Sequence, residues 1–159
     1  MPAIEKVRIT WEQCFGAVSV IETQIRAMSN NAPQSILAIG RGGFILGTML
    51  SHKLDLPLAA VLTKGYDKND KALPKVEVSN IIGDLVSSVL ICDDVFDSGK
   101  TFKAVLQNDL RLSDPTTIVA VIATKQSGKY VKDFLKIEHF IAPIKVKPEK
   151  WCMFPWEVE

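Results

Sequence analysis

Val89-Leu90-Ile91-Cys92-Asp93-Asp94-Val95-Phe96-Asp97-Ser98-Gly99-Lys100-Thr101 is the stretch on which the reading of this chain turns. Four apolar residues in a row predict a short buried strand. Two adjacent carboxylates follow, then a short turn, and then Ser-Gly-Lys-Thr opens a helix predicted to run from Thr101 to Leu112. Gly99 lets the backbone turn tightly enough for N–H groups to converge on an anion. The helix N-terminus adds the positive end of its dipole, and the Ser98 and Thr101 hydroxyls are further donors. A phosphate fits that cup. Asp93 and Asp94 are too near it for phosphate alone, and suit hydroxyl groups or a hydrated magnesium ion. Neighbouring strand residues point to opposite faces, so the two acids need not share one role. A phosphate cup beside a diol binder describes a site for a sugar phosphate. The plainer reading is a solvated acidic turn before an ordinary helix.

Outward from that stretch, strand and helix patterns alternate. Thr10 and Gln13 form a capping box for a helix carrying Trp11, Cys14, Phe15, Val18, Ile21, Ile25 and Met28 at helical spacing. Strands are predicted over 35–39, 58–62, 76–82, 117–123 and 140–141, and a second helix over 44–54. Residues 64–75 read as a polar loop. The buried strands are continuously apolar, which favours an α/β fold with a mostly parallel central sheet flanked by helices. Ligands of such sheets bind beyond the carboxyl ends of the strands.

The 159 residues suit one domain spanning 1–159. A net charge of +1, from 19 basic and 18 acidic residues, gives no general pull toward nucleic acid or a membrane surface. No stretch is apolar for the ~18 residues of a membrane span. The first residues lack an apolar signal core, so a cytoplasmic location is expected. Cys14, Cys92 and Cys152 are widely spaced, and read as reduced thiols. Two other motifs fail on their letters. A Walker A loop needs glycine where Asp94 stands, and a dinucleotide fingerprint starting at Gly40 needs glycine where Ile45 stands.

The 89–101 stretch resembles the phosphoribosyl pyrophosphate (PRPP) signature of the type I phosphoribosyltransferases: four apolar residues, two acids, two apolar residues, then Asp-Thr/Ser-Gly-x-Thr. The resemblance implies that Asp97, Ser98, Gly99, Lys100 and Thr101 hold the 5′-phosphate. It implies that Asp93 and Asp94 serve the ribose hydroxyls, directly or through magnesium. Asp97 is implied as the general acid/base at N7 of a purine. Gly40-Arg41-Gly42-Gly43 resembles the family's pyrophosphate loop, and the Gly40–Arg41 bond is implied able to be cis. The family closes a flexible loop over the active site, and the resemblance places that loop in the region of 64–75. Ala72 stands where the nearest relatives have arginine, which leaves Lys71 or Lys64 to meet pyrophosphate.

The purine branch that acts on 6-oxopurines has a lysine where Lys125 follows the 117–123 strand; an ammonium has donors only and suits a carbonyl oxygen. The tail from Trp151 to Glu157 resembles the hood of the xanthine-guanine members, formed here largely by 143–159. Trp151 is implied to stack on the base, with the main chain near Cys152 reading its edge. Trp156 reads as structural. The resemblance therefore implies a magnesium-dependent purine salvage enzyme, working as a homodimer or homotetramer on PRPP and guanine, xanthine or hypoxanthine. The alternatives are a transferase for another base, and a protein that senses PRPP or a nucleotide.

Overall fold

A computed structural model describes residues 2–69 and 71–157. Asp70 of the 64–75 segment and residues 158–159 of the tail lie outside the described residues.

The elements in chain order are β1 (Lys6–Arg8), α1 (Trp11–Arg26), β2 (Ser35–Gly40), α2 (Gly42–Leu54), β3 (Leu58–Tyr66), β4 (Ala72–Val78), β5 (Val89–Phe96), α3 (Lys100–Asn108), β6 (Ile118–Thr124), α4 (Gly128–Leu135), β7 (His139–Ile141), β8 (Ile144–Lys145) and β9 (Trp151–Met153). A 3₁₀ turn, Leu110–Leu112, follows α3. The main sheet has the order β4-β3-β2-β5-β6-β7, with β8 also on β6. Its pairings are parallel except for β3 with β4.

Side-chain alternation assigns the two faces. Leu90 and Cys92 of β5 share a core with Cys14 and Ile21 of α1 and Leu46 and Leu50 of α2. Val89 and Ile91 share the opposite core with Phe102 and Val105 of α3 and Val131 and Leu135 of α4. Helices therefore cover both faces. The chain leaves β2 through α2 toward β3, and leaves β5 through α3 toward β6 on the other side. The crevice beyond the ends of β2 and β5 is thus the point where the winding reverses.

The Thr10 capping box forms: Thr10 Oγ1 accepts from the Gln13 N–H at 3.1 Å, and Gln13 Oε1 accepts from the Thr10 N–H at 2.8 Å. Several boundaries differ from expectation: the helix expected to reach Leu112 ends at Asn108, and the strand expected over 76–82 is Ala72–Val78. Strand β5 continues through the acids to Phe96, because Asp93, Val95 and Phe96 pair with Val121, Ala123 and Thr124. Helix α2 starts at Gly42, two residues early. Most of the expected 64–75 loop is a β-hairpin arm, with Thr63 opposite Val78 and Tyr66 opposite Ala72. Asp67 ties its tip, accepting from the N–H groups of Asn69 (2.7 Å) and Lys71 (3.0 Å).

The chain ends meet. Strand β1 pairs with β9 in parallel, Lys6 opposite Trp151 and Arg8 opposite Met153. Lys150 Nζ reaches Glu5 Oε1 at 2.7 Å. Ile144 and Lys145 belong to the main sheet, so the terminal two-stranded unit starts after them.

Candidate active site

The phosphate cup forms where β5 ends. Asp97 and Ser98 are exposed, Gly99 is buried at φ +87°, and α3 begins at Lys100. No side chain caps that helix. Ser98 Oγ receives only a long 3.4 Å bond from the Lys100 N–H. The first turn thus has no side-chain cap, the arrangement that leaves N–H groups for an anion.

The glycine loop closes on the acid pair from the side. The Gly40–Arg41 peptide is cis, as the resemblance allowed, and Arg41 is exposed ahead of α2. The Gly43 N–H donates to the Asp93 carboxylate. A Cβ on Gly42 would overlap the Asp94 carboxylate. Asp94 cannot easily give way, because its Oδ1 accepts from the Val95 N–H at 2.8 Å. Replacing Gly42 by alanine is therefore expected to cost about 1–3 kcal/mol, as overpacking does, and to disturb the Asp94 carboxylate. Thermal unfolding and PRPP titration check this; unaltered stability and binding would overturn it.

Asp93 Oδ1 accepts from the Asp94 N–H at 2.8 Å. Desolvation pushes the Asp93 carboxyl well above the usual carboxylate range, and the charge of Asp94 adds to the rise. Asp94 is also raised, first by desolvation and then by the charge of Glu157, against hydrogen bonds that lower it. Among the described residues no lysine or arginine forms an ion pair with either acid.

Lys125 follows β6, and its backbone N–H donates to Phe96 O at 2.9 Å. Its side chain is 8% exposed, and its ammonium stands 3.2 Å from Asp97 Oδ2. The same ammonium lies 5.9 Å from the centre of the Trp151 ring, which is 51% exposed. Cys152 is buried behind Trp151. Burial raises its thiol pKa, while Lys125 lowers it and Asp94, Asp97 and Glu157 raise it further. Trp156 is part of an aromatic stack, 4.9 Å from Phe154 and 5.7 Å from Trp11, which suits a structural role.

The expected residues thus converge from the ends of β2, β5 and β6 and from β9. Lys71 differs: it is exposed at the hairpin tip, and among the described residues no hydrogen bond or ion pair ties its ammonium to the site. Sequence reasoning gave no role to Glu157. Its Oε2 accepts from the Phe154 N–H at 2.7 Å, and its charge reaches Asp94. The letter was visible as the acid after Pro155-Trp156; its neighbour 63 positions earlier was not.

The description of the phosphoribosyl transferase domain matches residues 11–153. Xanthine-guanine phosphoribosyltransferase of Cereibacter sphaeroides is 25% identical over 164 aligned residues, covering 99% of this chain and 90% of that protein. Among solved structures, a purine phosphoribosyltransferase from Pyrococcus horikoshii Ot3 superposes with a TM-score of 0.73 at 30% identity, covering 97% of this chain and 95% of the other. A hypothetical protein from Neisseria gonorrhoeae, crystallised with bound ppGpp, gives 0.73 at 26% identity, covering 99% and 92%. The match runs from the first turn of α1 to the end of β9 and takes in every loop of the crevice, and the chain belongs to the phosphoribosyl transferase domain family.

Proposed function

We propose that this protein is a purine salvage phosphoribosyltransferase, which moves the phosphoribosyl group of PRPP onto a 6-oxopurine and releases pyrophosphate. One observation carries the base: the donor Lys125 and the acceptor Asp97 stand 3.2 Å apart beside the open face of Trp151. O6 and N7 are neighbouring polar atoms on one purine edge. The ammonium donates to O6, the carboxylate takes the proton from N7, and the indole stacks on the ring. Main-chain groups near Cys152 meet the remaining edge. The 6-amino group of adenine offers this ammonium no acceptor.

The cup at Asp97, Ser98, Gly99, Lys100 and Thr101 holds the 5′-phosphate. Gly40, Arg41, Gly42 and Gly43 receive the pyrophosphate, with Lys71 brought in from the hairpin arm. N9 attacks C1′ as pyrophosphate leaves, through an oxocarbenium-like transition state stabilised by the surrounding negative charge. Asp97 accepts the N7 proton as the new bond forms.

Magnesium fits the donor set. Asp93 and Asp94 are paired carboxylates with no cationic partner among the described residues, and no cluster of three such ligands surrounds them there. They would hold the ion with substrate oxygens and waters completing its shell. When bound, it neutralises charge on the pyrophosphate. No helix among the described residues is long and apolar enough to cross a membrane; we place the protein in the cytoplasm as a homodimer or homotetramer.

A second reading is favoured by the gonococcal structure with ppGpp: a protein that senses PRPP or a nucleotide with this same site. Nucleotide formation separates the two. PRPP and magnesium are supplied with guanine, xanthine, hypoxanthine, adenine and uracil in parallel. Turnover of at least one 6-oxopurine, with adenine and uracil silent, is expected. Silence throughout, with PRPP still bound, would overturn the enzyme reading in favour of the sensor.

A further inference from the structure

Phe134 lies in the last turn of α4 and has no part in the chemistry above. Its ring edge nevertheless stands against the phosphate cup. A Cβ added at Gly99 would lie 2.9 Å from Phe134 Cε1, 3.1 Å from its Cδ1, and 2.5 Å from Phe96 Cζ. Both ring edges therefore line the side of Gly99 where a side chain would stand, a slot that only glycine fits.

The two walls are held differently. Phe96 is fully buried. It stacks on Phe102 at 5.3 Å and meets Phe140 edge-on at 5.6 Å. Phe134 is half-buried at the margin of the core. It is held by a parallel stack on Tyr130, 5.6 Å away at 9°, and by the Lys103 ammonium, 4.8 Å from its ring centre. On another side it borders a cavity of about 350 Å³, shared with Leu106, Leu112 and Ile137. Phe96 is fixed in the core, and Phe134 stands at its margin.

Gly99 is the residue this slot most needs to restrain. It has positive φ, no side chain and no capping bond. The directions of the N–H groups around it depend on its two dihedrals alone, and glycine explores more of that space than any other residue. Its carbonyl starts the α3 ladder, accepting from the Lys103 N–H at 2.9 Å. Lys103 thus touches the cup through its backbone and the brace through its ammonium.

We propose that Phe134 is a positioning residue for the phosphate cup: as the ring at the margin of the core that packs against Gly99, it sets the affinity for the 5′-phosphate of the substrate. This rests on the reading of the cup given under Proposed function. Preorganised donors bind an anion without reordering cost, and small displacements in such sites are expensive.

The test uses the full chain with Phe134→Leu and Phe134→Tyr. Leucine keeps the apolar volume and removes the flat edge; tyrosine keeps the edge, since Cδ1 and Cε1 face Gly99. Phe134→Leu is expected to raise KM for PRPP roughly tenfold, with KM for guanine and kcat within about twofold and little change in Tm. Phe134→Tyr is expected to restore the wild-type KM for PRPP. Binding of inorganic phosphate, followed by calorimetry, should weaken in parallel in the leucine variant. An unchanged KM for PRPP with Phe134→Leu overturns the proposal. So does an equal rise in both KM values accompanied by a fall in Tm, which a packing role alone would give. If the wild type turns over no base yet binds phosphate, and Phe134→Leu weakens that binding, the enzyme reading fails and the brace stands.

Discussion

Replacing Asp97 by alanine is expected to lower turnover of a 6-oxopurine by roughly 10²–10³-fold, the range of a positioned general acid or base, while PRPP still binds. The Asp97 side chain is 60% exposed, and its one ion pair runs to Lys125 at 3.2 Å. The Lys125 side chain is 8% exposed and loses a partner, so Tm should fall modestly, while the larger loss, in turnover, will be chemical. Asp97→Asn separates two parts of the role. Asparagine keeps an oxygen facing Lys125 but cannot take the N7 proton, so it should be nearly as slow as alanine. With Asp97 gone, Lys125 loses its carboxylate partner and should bind the O6 of the base less selectively. Steady-state kinetics with guanine, together with PRPP binding by calorimetry, decide the matter. Turnover unchanged in Asp97→Ala would remove the residue from the mechanism.

How much of this was legible follows from what a local pattern is able to encode. Runs such as Ile36-Leu37-Ala38-Ile39 and Ile118 to Ala123 were read correctly, because a strand buried on both faces is apolar at every position. The cup was legible because its chemistry is contiguous: carboxylates, glycine and hydroxyls lie within nine positions. Strand β5 was expected to stop at Cys92, where apolarity stops, but its ladder to β6 continues regardless of side-chain polarity. The β3–β4 arm was missed for a related reason. Lys64 opposite Glu77 is a pairing across a hairpin, and Pro74 argues against a central strand but is tolerated on an edge. Strand β4 is that edge. The β1–β9 pairing joins residues almost the whole chain apart, through strands of three residues, too short to carry a period. Lys125 and Asp97 were both named from sequence. Their meeting at 3.2 Å is set by parallel neighbours β5 and β6 ending level, with Phe96 opposite Thr124.

The acid pair offers a test in which stability and activity move in opposite directions. Replacing Asp93 by asparagine is expected to raise Tm at pH values above the raised pKa of that carboxyl, while cutting activity by roughly 10²-fold, the scale of losing a preorganised electrostatic group. In the folded protein desolvation and the charge of Asp94 raise the Asp93 carboxyl well above its usual range. A raised folded pKa means that the native state holds this proton more tightly than the unfolded chain. Stability from this group is complete below the unfolded value of about 3.9. It is lost as pH rises through the folded pKa, where a buried charge must be carried. Asparagine removes that charge. Its Oδ1 still accepts from the Asp94 N–H and the Gly43 N–H, the bonds the carboxylate makes now. A gain of ~1 kcal/mol corresponds to roughly 2–4 °C in a chain of this size. As pH falls through the raised folded pKa, the wild type should become more stable relative to the variant, because protonation relieves the same burden that asparagine removes. Magnesium with PRPP should also stabilise the wild type more than the variant, by supplying the missing counter-charge. Differential scanning calorimetry across pH, with and without those ligands, measures each of these differences. A variant that is less stable above the raised folded pKa, or equally active, would show that Asp93 is a structural acid and not a group held under electrostatic load for its substrate.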